Sequence, residues 1–213
     1  YQTEQSFTVR QALRHSSFWL MLFANFLYSF MQQTQHVHVI PHMRHRGFTA
    51  PGAAAVWAIY GVTQVVGRIG SGWLGDKIGR ARLLTVSYLF LGAGWISIAF
   101  LAPDSLWSIV LFFLTFGSGQ AAQTVTSPTV IADFFGSGRY ATIRGIMNPI
   151  GLMGGVIGPV LVGISFDYFG SYQTAFIIMG PLIGLGSLAI FRAGTPTLAG
   201  VRNSQCEINS GEK

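Results

Sequence analysis

The chain has 213 residues, of which 50% are hydrophobic and only 9% are charged, whereas a soluble domain usually carries about a quarter charged residues. Its 13 basic and seven acidic residues cannot cover a water-soluble core, and its single cysteine excludes a disulfide scaffold. The net charge of +6 is scattered between apolar runs, so nucleic acid is not an expected partner. The composition predicts an integral membrane protein surrounded by the lipid bilayer.

Six apolar stretches are long enough to cross a bilayer as helices, because a hydrocarbon core of roughly 30 Å needs about 20 helical residues. In chain order they are Phe18–Ile40, Ala53–Leu74, Leu83–Leu101, Leu106–Phe135, Gly145–Phe166 and Ala175–Phe191. Pro41 and the basic stretch Arg44–Arg46 are expected to end the first helix, and Pro128 to kink or shorten the fourth. The predicted fold class is all-α. Its six-helix transmembrane bundle covers residues 18–192, between an N-terminal segment (1–17) and a polar tail (193–213) expected to be disordered.

Lys and Arg residues divide unequally between the two sides of this bundle. Arg44 and Arg46 fall on one side, and ten residues fall on the side of both termini: Arg10, Arg14, Lys77, Arg80, Arg82, Arg139, Arg144, Arg192, Arg202 and Lys213. Because loops rich in Lys and Arg stay in the cytoplasm, both termini are expected there, with the protein in the plasma (inner) membrane. The chain begins with Tyr rather than Met and is interpreted as a fragment.

Polar side chains inside three of the spans predict a polar path through the bundle. They fall on one face of the first span, on one face of the second and along the fourth, in this order: Asn25, Ser29, Gln32, His36; Gln64, Arg68, Ser71; Gln120, Gln123, Thr124, Thr126, Ser127. Polar groups in a membrane are costly unless they face the bundle interior or water. The third and sixth spans are therefore expected to be peripheral. The alternative is that these groups only form weak hydrogen bonds between helices.

Directly after the second span the chain has the pattern Gly72-x-x-Gly-Asp76-Lys77-x-Gly79-Arg80-x-Arg82. It resembles the G-x-x-x-D-[RK]-x-G-[RK]-x-[RK] loop of the major facilitator superfamily of secondary transporters, which lies between helices 2 and 3 and recurs between helices 8 and 9. Gly72 is expected to let a neighbouring helix approach closely, and Asp76 to sit against a helix N-terminus. A generic cytoplasmic loop would explain the basic residues alone. The resemblance implies a conformational-switch motif made of Gly72, Asp76, Lys77, Gly79 and Arg80.

Two weaker patterns agree with this family. The segment from Asp133 to Gly145 resembles its loop between helices 10 and 11, and Gly154, Gly155, Gly158-Pro159 and Gly163 resemble a glycine–proline packing motif of helix 11. On this mapping the six spans are helices 7 to 12, which form one half of the fold. The N-terminal six-helix half is then a missing partner, since function in this fold depends on two halves that rock around a midplane site.

A narrower resemblance concerns the substrate. The segments His38-Val-Ile-Pro41-His42, Arg46-Gly47-Phe48 and Gly67-Arg68-x-x-x-Gly72 resemble the monocarboxylate porter and oxalate–formate antiporter branch. This implies that Arg68 binds the substrate carboxylate. The fifth span, from Gly145, contains no Lys or Arg to match the helix 11 Lys of the antiporter, which favours a monocarboxylate over a dicarboxylate. The alternatives for Arg68 are snorkelling to the headgroups and pairing with the missing half.

The expected function is secondary active transport of a small organic anion, preferably a monocarboxylate, by proton symport or anion exchange. The predicted substrate-binding residues are Arg68, Gln64, Asn25 and Gln32. One alternative is drug or organic-cation efflux, which normally needs a membrane-buried carboxylate that these spans lack. The other is a non-transporting membrane subunit or fragment.

Four histidines lie near the end of the first span, namely His36, His38, His42 and His45. They are interpreted as residues of the outer mouth, with proton coupling by His36 as an alternative. A metal site is not predicted, because a helix broken at Pro41 cannot present His38 and His42 together. No catalytic residue and no cofactor are predicted either, so the chain is not expected to be an enzyme.

Overall fold

The computed structural model describes residues 9–136, 138 and 140–193. Its helices are α1 (Val9–Arg14), α2 (Ser16–His45), α3 (Ala50–Ile78), α4 (Arg80–Ala99), α5 (Leu106–Phe135), α6 (Tyr140–Phe169) and α7 (Tyr172–Ala193). The described residues form no strand, which confirms the all-α fold class. Outside the described residues lie the start of the predicted N-terminal segment, nearly all of the predicted tail, and Arg139, Arg202 and Lys213.

Four of these helices, α4 to α7, combine the length and the apolarity of membrane spans. α2 and α3 are long enough, with 30 and 29 residues, but they are more polar. Their polar side chains include Gln32, His36, Gln64 and Arg68, which the sequence places on a polar path. The six long helices are thus observed, and membrane crossing by α2 and α3 stays a prediction.

Two glycines with positive φ end long helices at the same end of the bundle. α3 stops at Gly79 (φ 93°) and α5 at Gly136 (φ 84°). Side chains with a Cβ rarely adopt this conformation, so glycine is the usual residue at such helix ends. Both positions belong to the predicted breaks between spans.

Of the two predicted end signals, Pro41 does not end the first helix, because α2 continues through it, whereas the helix does end within the basic stretch, at His45. Proline removes one helical hydrogen bond, but contacts with α4 and the turn after it hold the last turn of α2 in place. His42 Nε2 lies 2.9 Å from the carbonyl oxygen of Ile98, and Arg46 Nε donates to the carbonyl of Leu101 over 3.1 Å. Tertiary contacts therefore outweigh the local preference of proline.

The predicted early end at Pro128 is also not observed, because α5 continues to Phe135. Around this proline the hydroxyls of Thr126 and Thr129 donate to the carbonyls of Ala122 and Thr126, over 2.7 and 2.9 Å. Hydroxyl groups commonly compensate for backbone groups near a membrane proline. The irregular part of α5 lies earlier, where Phe113–Gly117 forms a π-helical turn.

The helices pack as neighbours in the order α6, α2, α7, α4, α5 and α3. Glycines permit the closest approaches: a Cβ on Gly158 of α6 would lie 2.5 Å from the carbonyl oxygen of Phe30 on α2. This confirms the predicted packing role for Gly158, whereas Gly163 of the same motif has only an ordinary contact. The expectation for Gly72 is wrong, since a Cβ there would meet nothing within 4 Å. α3 approaches α5 at Gly67 instead, where a Cβ would lie 2.6 Å from that of Ala121.

The start of α2 and the end of α7 meet at one end of the bundle, where the hydroxyl of Ser17 donates to the carbonyl of Ala193. The bonds from His42 and Arg46 join the ends of α2 and α4 at the other. Large apolar side chains remain exposed on the outside, among them Ile69 and Trp73 of α3 and Val156 of α6. Such continuous apolar faces suit a lipid or helix neighbour rather than water.

Candidate functional site

A recess of about 360 Å³ lies between α2, α5 and α6, within the usual size range of small-molecule sites. We call it the polar cavity. Its lining residues are Asn25, Tyr28, Ser29, Gln32, Gln123, Thr124, Ser127, Pro128, Arg144, Asn148 and Leu152. Nine of these 11 side chains carry hydrogen-bonding groups, and α3, α4 and α7 contribute none.

Helical spacing brings these side chains to one place. Asn25, Ser29 and Gln32 are separated by four and three residues, so they lie on one face of α2. Arg144 and Asn148 share a face of α6 in the same way. A Cβ on Gly151 would overlap the side-chain amide of Asn25, so the glycine leaves this amide its position in the polar cavity.

Arg144 is the cation of the polar cavity. Its Nη1 atom is buried without a hydrogen-bond partner, and no carboxylate belongs to the lining among the described residues. A buried guanidinium nitrogen without a partner is costly, which makes Arg144 a ready partner for an anion. The sequence analysis missed this role because it started the fifth span at Gly145 and counted Arg144 as a loop charge. α6 begins at Tyr140, so Arg144 lies within the helix.

Tyr28 lies in the lining of the polar cavity. Its hydroxyl is 3.4 Å from Oγ1 of Thr124, and the guanidinium groups of both Arg68 and Arg144 are close enough to act on it electrostatically. The potential beside this hydroxyl is therefore positive. An anion held next to Tyr28 would be stabilised by both charges.

The structure separates the four predicted substrate-binding residues. Asn25 and Gln32 line the polar cavity. Arg68 is exposed on α3 outside the lining and forms no hydrogen bond or ion pair with another described residue. Gln64 is buried and its Nε2 donates to the carbonyl of Gly117 over 2.9 Å, so its amide serves the contact between α3 and α5. The sequence pattern of α3 did not predict that Arg68 is exposed and Gln64 buried, because the two residues share the same helical face.

Gln120, another predicted path residue, also accepts a hydrogen bond between helices, which was the alternative for this pattern. Gln35 Nε2 donates to the hydroxyl of Tyr60 over 3.4 Å, and that hydroxyl donates to Oε1 of Gln120. This buried chain links α2, α3 and α5. The third and sixth spans, α4 and α7, contribute nothing to the cavity lining, but they lie in the middle of the packing order, so their peripheral position stays a prediction.

The predicted switch motif is an exposed ionic link between helix ends. Arg80, the first residue of α4, lies 3.2 Å from Asp76 at the end of α3 and 3.4 Å from Asp133 at the end of α5. Lys77 Nζ lies 3.8 Å from the centroid of a Trp73 ring. The N-terminus of α4 has no side-chain cap, so Asp76 does not cap this helix, and its predicted contact with a helix N-terminus stays a prediction. Arg80, one turn later, pairs with this carboxylate instead.

The four histidines lie along an unbroken helix, so the argument that Pro41 separates them is also wrong. Their rings are used in packing: His38 Nε2 lies 2.9 Å from the carbonyl oxygen of Pro159, and His36 packs edge-on to Trp57 with ring centroids 6.4 Å apart. His42 is fully buried against Phe176. Within the described part of the chain, no three His, Cys, Asp or Glu residues group as metal ligands.

A sequence profile of the Major Facilitator Superfamily matches residues 21–209, which include most of α2 and all of α3 to α7. The chain belongs to the major facilitator superfamily. Membership of this superfamily of membrane transporters agrees with the prediction that the chain is not an enzyme. It also agrees with an integral membrane protein.

Relatives in this superfamily include Monocarboxylate transporter 13 of Rattus norvegicus, which is 30% identical over 155 residues, or 71% of this chain and 36% of that protein. Probable sulfoacetate transporter SauU of Cupriavidus necator is 31% identical over 184 residues, or 80% of this chain and 41% of that protein. These similarities confirm the resemblance to the monocarboxylate branch. The chain spans less than half the length of either relative.

Solved structures show the same fold. The E. coli fucose:proton symporter FucP superimposes with a TM-score of 0.72 at 20% identity, over 88% of this chain and 45% of the symporter. The peptide transporter POT superimposes with a TM-score of 0.71 at 18% identity, over 92% of this chain and 44% of that transporter. At these identities the likeness concerns the fold alone.

Proposed function

We propose that this chain is one half of a secondary active transporter for a small organic anion, and that a monocarboxylate is the preferred class. The observation that carries the proposal is the polar cavity, which contains an unpaired guanidinium and no carboxylate among its described lining residues. The names of the relatives above, which concern monocarboxylates and sulfoacetate, support an acidic substrate. Proton symport or anion exchange would drive the transport, with both termini in the cytoplasm of a plasma-membrane protein.

The carboxylate is placed beside Tyr28, where Arg144 and Arg68 both contribute positive charge. Arg144 lines the polar cavity and offers the planar donor pair that suits a carboxylate. Arg68 lies on the neighbouring exposed surface of α3 and forms the second contact. Asn25 and Gln32 hold the rest of the substrate. Gln64 is left out of the binding set, since its amide is used between helices.

The test is equilibrium binding and liposome uptake of labelled lactate by the complete protein of which this chain is a part. Loss of a hydrogen bond to a charged group costs about 1.5–3 kcal/mol, so Arg144→Gln and Arg68→Gln should each weaken lactate binding about tenfold or more. Arg68→Lys should weaken binding similarly, since the ammonium loses the bidentate geometry. Arg14→Gln, which removes an exposed arginine of α1, is the control.

Lactate binding that survives both Arg144→Gln and Arg68→Gln would place the site elsewhere. An effect of Arg68 without one of Arg144 would remove the polar cavity from the proposal. The driving force is measured in the same liposomes: uptake that follows an imposed pH gradient indicates symport, and uptake that needs an internal organic anion indicates exchange.

Organic-cation efflux is not supported by the cavity. A cation would meet two like charges near Tyr28 and no acidic side chain in the described lining. Like charges oppose binding by an amount comparable to what opposite charges contribute.

A further inference from the structure

The lining of the polar cavity indicates the chemical character of the substrate beyond its acid group. Apart from Pro128 and Leu152, every lining side chain has a hydrogen-bonding group. An aliphatic or aromatic substrate would cover these groups and remove their water without replacing its hydrogen bonds, which is unfavourable. Binding sites for apolar substrates are instead lined mainly by hydrophobic and aromatic side chains.

Several of these polar groups are not used within the described part of the chain. Those that form no hydrogen bond with another described residue are Asn25, Ser29, Gln32, Ser127 and Asn148. They come from α2, α5 and α6, so they surround the cavity instead of lying along one edge. Amide and hydroxyl groups both donate and accept hydrogen bonds. Their natural complement is a ligand group that also does both, which is a hydroxyl.

The polar wall is longer than an acid group alone requires. Asn25 and Gln32 are seven residues apart on α2, which is about 10 Å along a helix. On the opposite wall, Asn148 lies one turn further along α6 than Arg144. A carboxylate at Arg144 therefore leaves several uncommitted amides within the same recess.

We propose that the substrate is a polyhydroxylated organic acid, whose carboxylate binds Arg144 and whose hydroxyl groups bind the amides of Asn25, Gln32 and Asn148. This rests on the function proposed above and narrows it from organic anions to hydroxylated acids. The amides act as specificity-determining residues, because a site built to bond a hydroxyl discriminates against an analogue that lacks it.

The test compares gluconate and hexanoate, which have the same number of carbon atoms and one carboxylate each but differ in chain hydroxylation. Their dissociation constants are measured by equilibrium binding to the purified complete protein. The wild type should bind gluconate at least about tenfold more tightly than hexanoate. Gln32→Leu and Asn148→Leu should each lower this preference about fivefold or more, through loss of hydrogen bonds and gain of apolar contact with hexanoate.

Gln33→Leu is the matched control, since Gln33 is the next residue of α2 and lies outside the cavity lining. The preference of this variant for gluconate over hexanoate should equal that of the wild type. Because the readout is a ratio of two affinities in one sample, a change in the amount of folded protein does not alter it. Arg144→Gln should weaken both acids and leave the ratio nearly unchanged.

Equal binding of the two acids, preference for hexanoate, or an equal effect of Gln33→Leu would overturn the inference. A wild type that binds lactate but neither gluconate nor hexanoate would also overturn it, while leaving the proposed function in place. Failure to bind any of the three acids would refute the proposed function itself.

Discussion

Substitution of Gly158 by alanine tests how closely α6 and α2 are packed. The added Cβ would lie 2.5 Å from both the carbonyl oxygen of Phe30 and Oγ1 of Thr34. These two atoms are already joined by a 2.7 Å hydrogen bond, so Thr34 cannot turn away without losing it. α6 must therefore retreat by about 0.5 Å to restore even the shortest contact that real Cβ atoms show.

Overpacking of this kind costs about 1–3 kcal/mol, and the better helix propensity of alanine returns up to about 1 kcal/mol. Gly158→Ala should thus lose about 0.5–2 kcal/mol, and Tm should fall by about 1–8 °C, since 1 kcal/mol shifts Tm by about 2–4 °C at this size. The matched control is Gly163→Ala in the same helix, whose Cβ would lie an ordinary 3.9 Å from His38. Thermal unfolding in detergent measures both. If the two variants unfold at the same temperature, the inferred packing of α6 on α2 is incorrect.

Three further predictions concern other parts of the molecule. Arg80→Gln breaks the contacts with Asp76 and Asp133. Because these pairs are exposed, Tm should change by no more than about 2 °C. The transport rate of the complete protein should fall, and an unchanged rate contradicts a switch role. Tyr60→Phe leaves buried amide groups of Gln35 and Gln120 unpaired and should cost about 1–3 kcal/mol, whereas Tyr168→Phe, at an 83% exposed residue, should cost nothing measurable. Cysteines placed at Asp104 and Arg80 should differ in labelling by an impermeant reagent applied to intact cells, with reaction only at Asp104; labelling at Arg80 would invert the predicted topology.

The sequence predicts the six long helices well because each apolar run ends at a glycine or at a charged turn. Gly136 illustrates this: its positive φ matches the conformation that only glycine adopts cheaply. The errors arise at Pro41 and Pro128, because the tendency of proline to end a helix was outweighed by contacts elsewhere in the structure. The carbonyls of Ile98 and Leu101 that hold the end of α2 lie more than 50 residues away in sequence, and no local pattern contains them.

The site was predictable only in part for a similar reason. A helical face identifies Asn25 and Gln32, but it cannot tell which residues of that face meet a cavity and which meet another helix. Gln64 shows the limit, since its partner is the carbonyl of Gly117 on another helix. Arg144 was missed because hydrophobicity marks where an apolar run starts, whereas α6 begins five residues before that run. The sequence did contain one indication of this position, since Arg144 lies four residues, or about one helical turn, before the polar Asn148.

The π-helical turn at Phe113–Gly117 sets the rotational phase of α5. A π turn accommodates one residue more than an α turn, so everything after it is rotated by about 100° relative to a continuous α-helix. Before and within the turn, Phe112 and Phe116 are buried in the aromatic core with Trp95. After it, Gln123 and Ser127 line the polar cavity. Deletion of one residue in this turn would leave the apolar half of α5 in place and rotate its polar half away from the cavity. A single backbone irregularity therefore sets which neighbours the two halves of this helix face.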